Sequence, residues 1–154
     1  MSKAHLTAIA RKKPSKPVVR LSATGAIVGR TLDYGCGRGA DADYLGCEGY
    51  DPHYRPGRPV GSFETIVCNY VLNVIVSEDE RLAVLRDIQA LLDDDGFAYI
   101  TVRNDCKALN GYTSRGTWQG QIVLDLPVRR RCADYVTYVL RKGDAVEAAP
   151  AVTN

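Results

Sequence analysis

Few of the residues that ordinarily signal a chemistry are present. The 154 residues include two histidines, one tryptophan, one methionine and two phenylalanines. His5 and His53 stand too far apart to be read as metal ligands, so no metal site is expected. The five cysteines, Cys36, Cys47, Cys68, Cys106 and Cys132, are odd in number and contain no C-x-x-C pair, which excludes a zinc ribbon or a dithiol redox motif. Unpaired thiols point to a reducing, cytoplasmic setting. No apolar run approaches the ~18 residues a membrane span needs, and the N-terminus carries charge and proline where a signal peptide needs an apolar core.

What is present suits one globular domain. Hydrophobic residues make up 45% and charged residues 25%, a balance that buries a core, and the length leaves no room for a second domain. The net charge of +2 conceals a split: residues 1–20 hold six bases and no acid, the remainder fourteen bases and eighteen acids. A basic arm of this kind attracts anionic partners through a sequence-blind Coulomb term, so nucleic-acid contact through the arm is one expectation and a solvated tail the other.

Strand and helix signals alternate along the body, which predicts an α/β sheet. Prolines at 14 and 17 predict an extended or irregular stretch over Lys12–Pro17. Thr31–Tyr34 reads as a strand entering a glycine-rich turn, Ala40–Leu45 as one or two helical turns, and Gly49–Asp51 as the next strand. Phe63–Tyr70 reads as a strand covered on both faces. Ser77 and Glu80 match a capping box, after which Leu82, Leu85, Ile88, Leu91 and Leu92 share a helical face that Gly96 is expected to end. Phe97–Val102, Gln121–Leu126 and Tyr135–Leu140 are the remaining strand candidates, the last two forming an antiparallel pair joined by Arg129, Arg130 and Arg131. The expected divisions are a basic arm and lead-in over 1–30, a body over 31–142 and a flexible tail over 143–154.

The chemistry is concentrated in Leu32-Asp33-Tyr34-Gly35-Cys36-Gly37-Arg38-Gly39. Glycines here permit positive φ and let a ligand lie against the backbone. The acid Asp51 ends the following strand, where a ribose diol is gripped in nucleotide-binding sheets. An acid two residues before the first glycine, with G-x-G-x-G spacing, resembles the first motif of class I S-adenosylmethionine-dependent methyltransferases. The resemblance implies a compact Rossmann-like sheet, mostly parallel with an antiparallel last strand, and S-adenosylmethionine as cofactor. It assigns cofactor contacts to Asp33, Gly35, Cys36, Gly37, Gly39, Asp51, Pro52, Asn69 and Tyr70.

A narrower resemblance runs through Thr7–Pro17, Leu32–Gly39, Asp51–Pro56, Tyr70–Ile75 and Thr113–Gln119, which look like the successive blocks of the putative methyltransferases associated with bacterial DNA phosphorothioation. It makes the arm, with Arg11, Ser15 and Lys16, a candidate lid over the cleft. Members of that group are longer than this chain, and the resemblance names a cofactor better than an acceptor.

Class I enzymes place two helices and a third strand where this chain has Pro52–Ser62. Eleven residues reach about 36 Å when extended, too little to add those elements, so the third strand and some helices are expected to be missing. Adenine would then be held by this connection, around Pro59 and Val60, or lie partly exposed, with weak affinity. The segment Asn69–Asn73 lacks the D/N-P-P-Y/F and Pro-Cys sequences of DNA-base methyltransferases. Tyr70 and Asn73 remain as the candidate catalytic pair that orients an acceptor or takes its proton, with packing or helix capping as their alternative role. Arg11, Arg103, Arg115 and Trp118 are candidate acceptor contacts, Trp118 either as a stacking face or as a core anchor. The acceptor, nucleic acid or small molecule, is not named by the residues. Two other functions stay open: a non-catalytic cofactor-binding or DNA-associated accessory module, and an enzyme degrading S-adenosylmethionine. A sheet face poorly covered by short helices favours a homo-oligomer.

Overall fold

Four segments rich in β-branched and aromatic residues lie side by side in parallel: β1 (Thr31–Tyr34), β2 (Glu48–Tyr50), β3 (Phe63–Asn69) and β4 (Leu92–Arg103). The computed structural model describes residues 13–105 and 111–147. Two later strands, β7 (Val128–Arg131) and β8 (Tyr135–Leu140), complete a six-stranded sheet in the order β2-β1-β3-β4-β8-β7, with β8 antiparallel to both neighbours. Between β4 and β7, a separate two-stranded ribbon pairs β5 (Gly111–Tyr112) with β6 (Trp118–Gln119).

Strand alternation divides the core between two faces. Leu32, Ile66, Cys68, Ile100, Tyr138 and Leu140 meet Leu85, Ile88 and Leu91 of helix α3 (Glu78–Leu91) on one face. Val67 and Tyr99 meet Val18 and Leu21 of helix α1 (Lys16–Ala23) on the other. The short helix α2 (Ala40–Leu45) follows the glycine turn, and a single 3₁₀ turn over Leu72–Val74 follows β3. At the start of α3, Ser77 Oγ accepts the Glu80 N–H at 3.2 Å, as the capping pattern requires.

Three expectations change. Lys16 and Pro17 are helical, because proline in a first turn forgoes a hydrogen bond the helix would not have made and its fixed φ already suits the helix. Gly96 does not end α3; the helix stops at Leu91 and Gly96 lies within β4, where its missing side chain lets the Phe63 and Glu64 carbonyls approach. Gln121–Leu126 is irregular and the arginine segment is the strand instead. Ile122, Leu124 and Leu126 still pack on the core without pairing, whereas arginines suit an unpaired sheet edge because charge there resists further strand addition.

The connection from β2 to β3 contains no strand; its one pairing is an isolated bridge between Asp51 and Arg55. Its course is set by Arg58, whose guanidinium takes both oxygens of Asp87 on α3 at 2.9 and 3.0 Å and lies 5.1 Å from the Tyr50 ring. Tyr34 Oη donates to the same carboxylate. The connection is therefore tied across the end of β1 and β2 to α3 by a shared acid.

Candidate active site

The carboxyl ends of β1, β2 and β3 converge on the glycine turn. Gly35, Gly37 and Gly39 have φ of 76°, 54° and 95°, values that a side chain would strain. The Gly35 and Cys36 amides donate to the Tyr50 carbonyl at 2.7 and 3.0 Å, and the Gly37 amide donates to Asp51 Oδ2 at 3.0 Å. The turn is thus fastened to the end of β2 through backbone and carboxylate together. Two glycines also admit neighbours: the Val71 side chain lies where a Gly35 Cβ would stand, and the Arg55 guanidinium where a Gly39 Cβ would stand.

Asp51 is 9% exposed, and its other oxygen accepts the His53 and Tyr54 amides at 2.9 and 3.0 Å. A carboxylate offers about four acceptor positions, so three backbone donors leave roughly one. Asp33 is buried on β1 and accepts the Ala42 N–H; burial first, then the neighbouring Asp41, pushes its carboxyl up to about 8, against the pull of Arg55. The Cys36 thiol is pushed up to about 12 by burial and then by Asp33, which keeps it protonated in the turn.

Asp41, at the start of α2, joins three elements. Its oxygens accept Ser15 N and Ser15 Oγ, both at 2.7 Å, and Asn69 Nδ2 at 3.2 Å. The residue just before α1 is thereby anchored beside the site, which extends the arm's block into the structure as far as Ser15. Arg11, the arm's candidate acceptor contact, lies outside the described residues.

Tyr70 leaves β3 with φ 60°, the one non-glycine residue with positive φ among the described residues, while its amide donates to Thr101 O at 2.8 Å. Asn73 is 1% exposed, donates Nδ2 to Gln119 Oε1 at 3.1 Å, and accepts the Gly120 amide on its carbonyl. Beyond β4, Asn104 donates to the Cys132 carbonyl at 2.8 Å and accepts Gln121 Nε2 at 3.0 Å. Three buried carboxamide oxygens, Asn69 Oδ1, Asn73 Oδ1 and Gln121 Oε1, are left with no donor. The Asp41 carboxylate fixes which way Asn69 faces, and the Cys132 carbonyl does so for Asn104 and hence Gln121.

Asp33, the three glycines, Asp51, Asn69 and Tyr70 are therefore assembled on three adjoining strand ends, with Asn73 beside them. The other candidates lie differently. Pro52 is exposed, Arg103 forks onto Asp105 at 2.9 and 3.1 Å, and Arg115 is exposed in the turn of the β5–β6 ribbon. Trp118, partly buried, packs against the core with Arg81 5.7 Å from its ring. Sequence reasoning missed Asp41, Arg55, Val71 and Gln121, which the fold brings beside these residues and which no local pattern marks. No cluster of His, Cys, Asp and Glu able to hold a metal occurs among the described residues. None of their helices is long and apolar enough to cross a membrane.

A family profile described as methyltransferase domain matches residues 6–123. No curated protein matches in sequence. Among solved structures, the N-methyltransferase NodS from Bradyrhizobium japonicum WM9, in complex with S-adenosylhomocysteine, shares 13% identity over 92% of this chain and 98% of its own, with a TM-score of 0.59. The 1,6-didemethyltoxoflavin-N1-methyltransferase from Burkholderia thailandensis, with bound 1,6-didemethyltoxoflavin and S-adenosylhomocysteine, shares 19% identity over 84% of this chain and 78% of its own, with a TM-score of 0.59. The CcbJ methyltransferase from Streptomyces caelestis is 16% identical over 66% of this chain, with a TM-score of 0.49, and the chain spans only 55% of it. The profile match takes in the glycine turn, Asp51, the end of β3 and the β5–β6 ribbon, and on that ground the chain belongs to the methyltransferase domain family.

Proposed function

We infer that the chain binds S-adenosylmethionine at the glycine turn and transfers its methyl group to an acceptor that carries hydrogen-bond donors. The observation that carries this reading is the turn itself: three glycines at positive φ, with the Gly37 amide donating to Asp51 and an unpartnered Asn69 oxygen on the adjoining strand end. NodS and the 1,6-didemethyltoxoflavin-N1-methyltransferase, which share the fold, are both solved with S-adenosylhomocysteine.

The residues present fit the cofactor. Its methionyl ammonium is a donor in search of an acceptor, and Asn69 Oδ1 is a buried acceptor in search of a donor, a deficit worth about 1–3 kcal/mol. Asp41 and Asp51 concentrate negative charge beside the turn, which favours a cationic ligand. Asp51, with about one acceptor position left, would take one ribose hydroxyl and not grip two. When bound, the cofactor supplies an electrophilic methyl carbon on a sulfonium, so the chain's part is alignment more than strong acid or base chemistry.

The acceptor's side of the site is built from amides. Asn73 Oδ1 and Gln121 Oε1 accept N–H or O–H donors from the acceptor, which disfavours an anionic acceptor atom there. Tyr70, directly after the last residue of β3, and Asn73, in the 3₁₀ turn that follows, orient that group. Arg103, Arg115 and Arg11 serve, on this reading, as outer contacts.

The finer assignments belong to the same reading. The chain groups with the phosphorothioation-associated putative methyltransferases on its ordered blocks, with residues 31–142 as the transferring body and the basic arm as the place of any nucleic-acid contact. Four free cysteines among the described residues support a reducing cytoplasm. Self-association is expected through a sheet face, since arginines guard the β7 edge; a monomeric mass at micromolar concentration would remove that expectation.

Calorimetric titration with S-adenosylmethionine and S-adenosylhomocysteine tests the cofactor assignment, and absence of saturable binding by both overturns it. Asp51→Ala and Gly37→Val should each weaken binding by about tenfold or more in folded protein. Unchanged affinity would remove those residues from the site. Binding without product from nucleic-acid, protein and small amine or hydroxyl acceptors would make the chain an accessory module, and cofactor breakdown without any acceptor would make it a degrading enzyme.

A further inference from the structure

A second site lies on the α1 face of the sheet, between α1 and the edge strand β7. A cavity of about 240 Å³ opens there, lined by Arg20 and Thr24 from α1 and its C-cap, Arg129 and Arg130 from β7, and Tyr135 and Thr137 from β8. Three guanidinium groups share its wall, and no carboxylate does. None of the three forms an ion pair among the described residues, although five other basic side chains do. Like charges gathered in one cavity repel, and the remedy the fold uses elsewhere, as in Arg58 with Asp87, is withheld here.

The donors are positioned but not spent. Arg129 Nη2 donates to Thr24 Oγ1 at 3.2 Å, with the guanidinium 5.3 Å from the Tyr99 ring, which holds the strand against the end of α1. Arg130 Nε donates to Tyr135 Oη at 3.2 Å. A guanidinium has five N–H donors, so one bond each leaves most of both forks open, and Arg20 has no hydrogen-bond partner for its guanidinium among the described residues. Such forks match tetrahedral oxyanions bidentately.

The cavity's place in the sheet connects it to the end that carries the glycine turn. Arg130 is in register with Thr137, Thr137 with Thr101, and Thr101 with Asn69, so a polar row crosses four strands. The Thr101 and Thr137 hydroxyls are bonded at 2.8 Å within it.

We propose that this cavity binds a terminal phosphate group, a phosphomonoester dianion held by Arg20, Arg129 and Arg130. A carboxylate would neutralise one of the three charges, whereas a phosphomonoester neutralises nearly two and presents three oxygens to the forks. At roughly 30 Å³ per water-sized group, the volume admits a phosphate and the carbon that carries it. The site does not depend on the transferase reading, because none of its residues belongs to the turn.

The test is a titration of the full chain at low salt, followed by ³¹P resonance and calorimetry, with inorganic phosphate, a nucleoside 5′-monophosphate and a single-stranded oligonucleotide lacking terminal phosphates. Saturable binding of phosphate and the monophosphate is expected, weakened about tenfold in Arg130→Gln and in Arg20→Gln, with S-adenosylhomocysteine affinity unchanged in both. Arg129→Lys keeps the charge but loses the fork and should fall between these and the native chain. Absence of saturable phosphate and monophosphate binding, or binding that all three variants retain, overturns the proposal. Preference for the oligonucleotide with steep salt dependence would also overturn it, in favour of a backbone-binding surface.

Discussion

At Asp33 two demands of the fold oppose each other, since the strand position requires burial while the carboxyl prefers water. Burial wins, and the group is held near 8 instead of its ordinary 3.8. Across that interval the folded chain keeps a proton that the unfolded chain has released. The contribution of this group to stability is therefore greatest below about pH 4 and declines as pH rises toward 8. Asp33→Asn keeps an oxygen for the Ala42 amide and removes the titration, so its urea midpoint should vary less between about pH 5 and pH 8 than that of the native chain. Equal pH dependence in the two proteins would show that the buried proton is not there. The glycines beside Asp33 were legible in the sequence because their requirement is local, a matter of φ and of empty space. The Asp41 junction was not legible, because its partners lie 26 and 28 residues away along the chain and nothing in the local pattern distinguishes that acid from a solvated one.

Elements were readable in proportion to how much of their stability is their own. α3 has a capping serine and a single apolar face, and its start agrees with the capping pattern. Ser77→Ala removes the bond to the Glu80 amide and should lower global stability by about 1 kcal/mol, because Leu85, Ile88 and Leu91 transmit any loosening to the core. A change of no more than a few tenths, read by chemical denaturation, would mean that water caps the helix equally well. α1 and β7 depend instead on the rest of the molecule. α1 has prolines before and within its first turn, which hide its helical character in the sequence, but Val18 and Leu21 find Val67 and Tyr99 on the sheet. β7 is a run of arginines that looks like a loop until β8 lies beside it, while the more apolar Gln121–Leu126 packs on the core without pairing. Apolar content there misled the strand reading, since pairing is decided by which backbone reaches the sheet edge.

For the whole molecule, the decisive feature is the short passage from Asp51 to Phe63. It leaves β2 as a three-residue edge strand, so the strand whose end serves adenine in the usual class I sheet is absent and its place is taken by a connection clamped through Arg58 to Asp87. On the proposed reading, such an edge offers backbone and carboxylate to the ribose but no further strand end to the base. Val60, one of the two residues expected to meet the adenine, is 80% exposed. Cofactor affinity in this chain should therefore reside in the methionyl and ribose parts, and hydrogen bonds to the adenine amino group should add little. Replacing that amino group by oxygen, as in S-inosylhomocysteine, removes a donor that a formed adenine site would read at about 1–3 kcal/mol, roughly a five- to hundredfold loss. Here the loss relative to S-adenosylhomocysteine should be under about threefold in the same calorimetric titration. A loss of tenfold or more would mean that residues of the connection close around the base on binding, and that the shortened fold replaces its missing strand with an ordered loop.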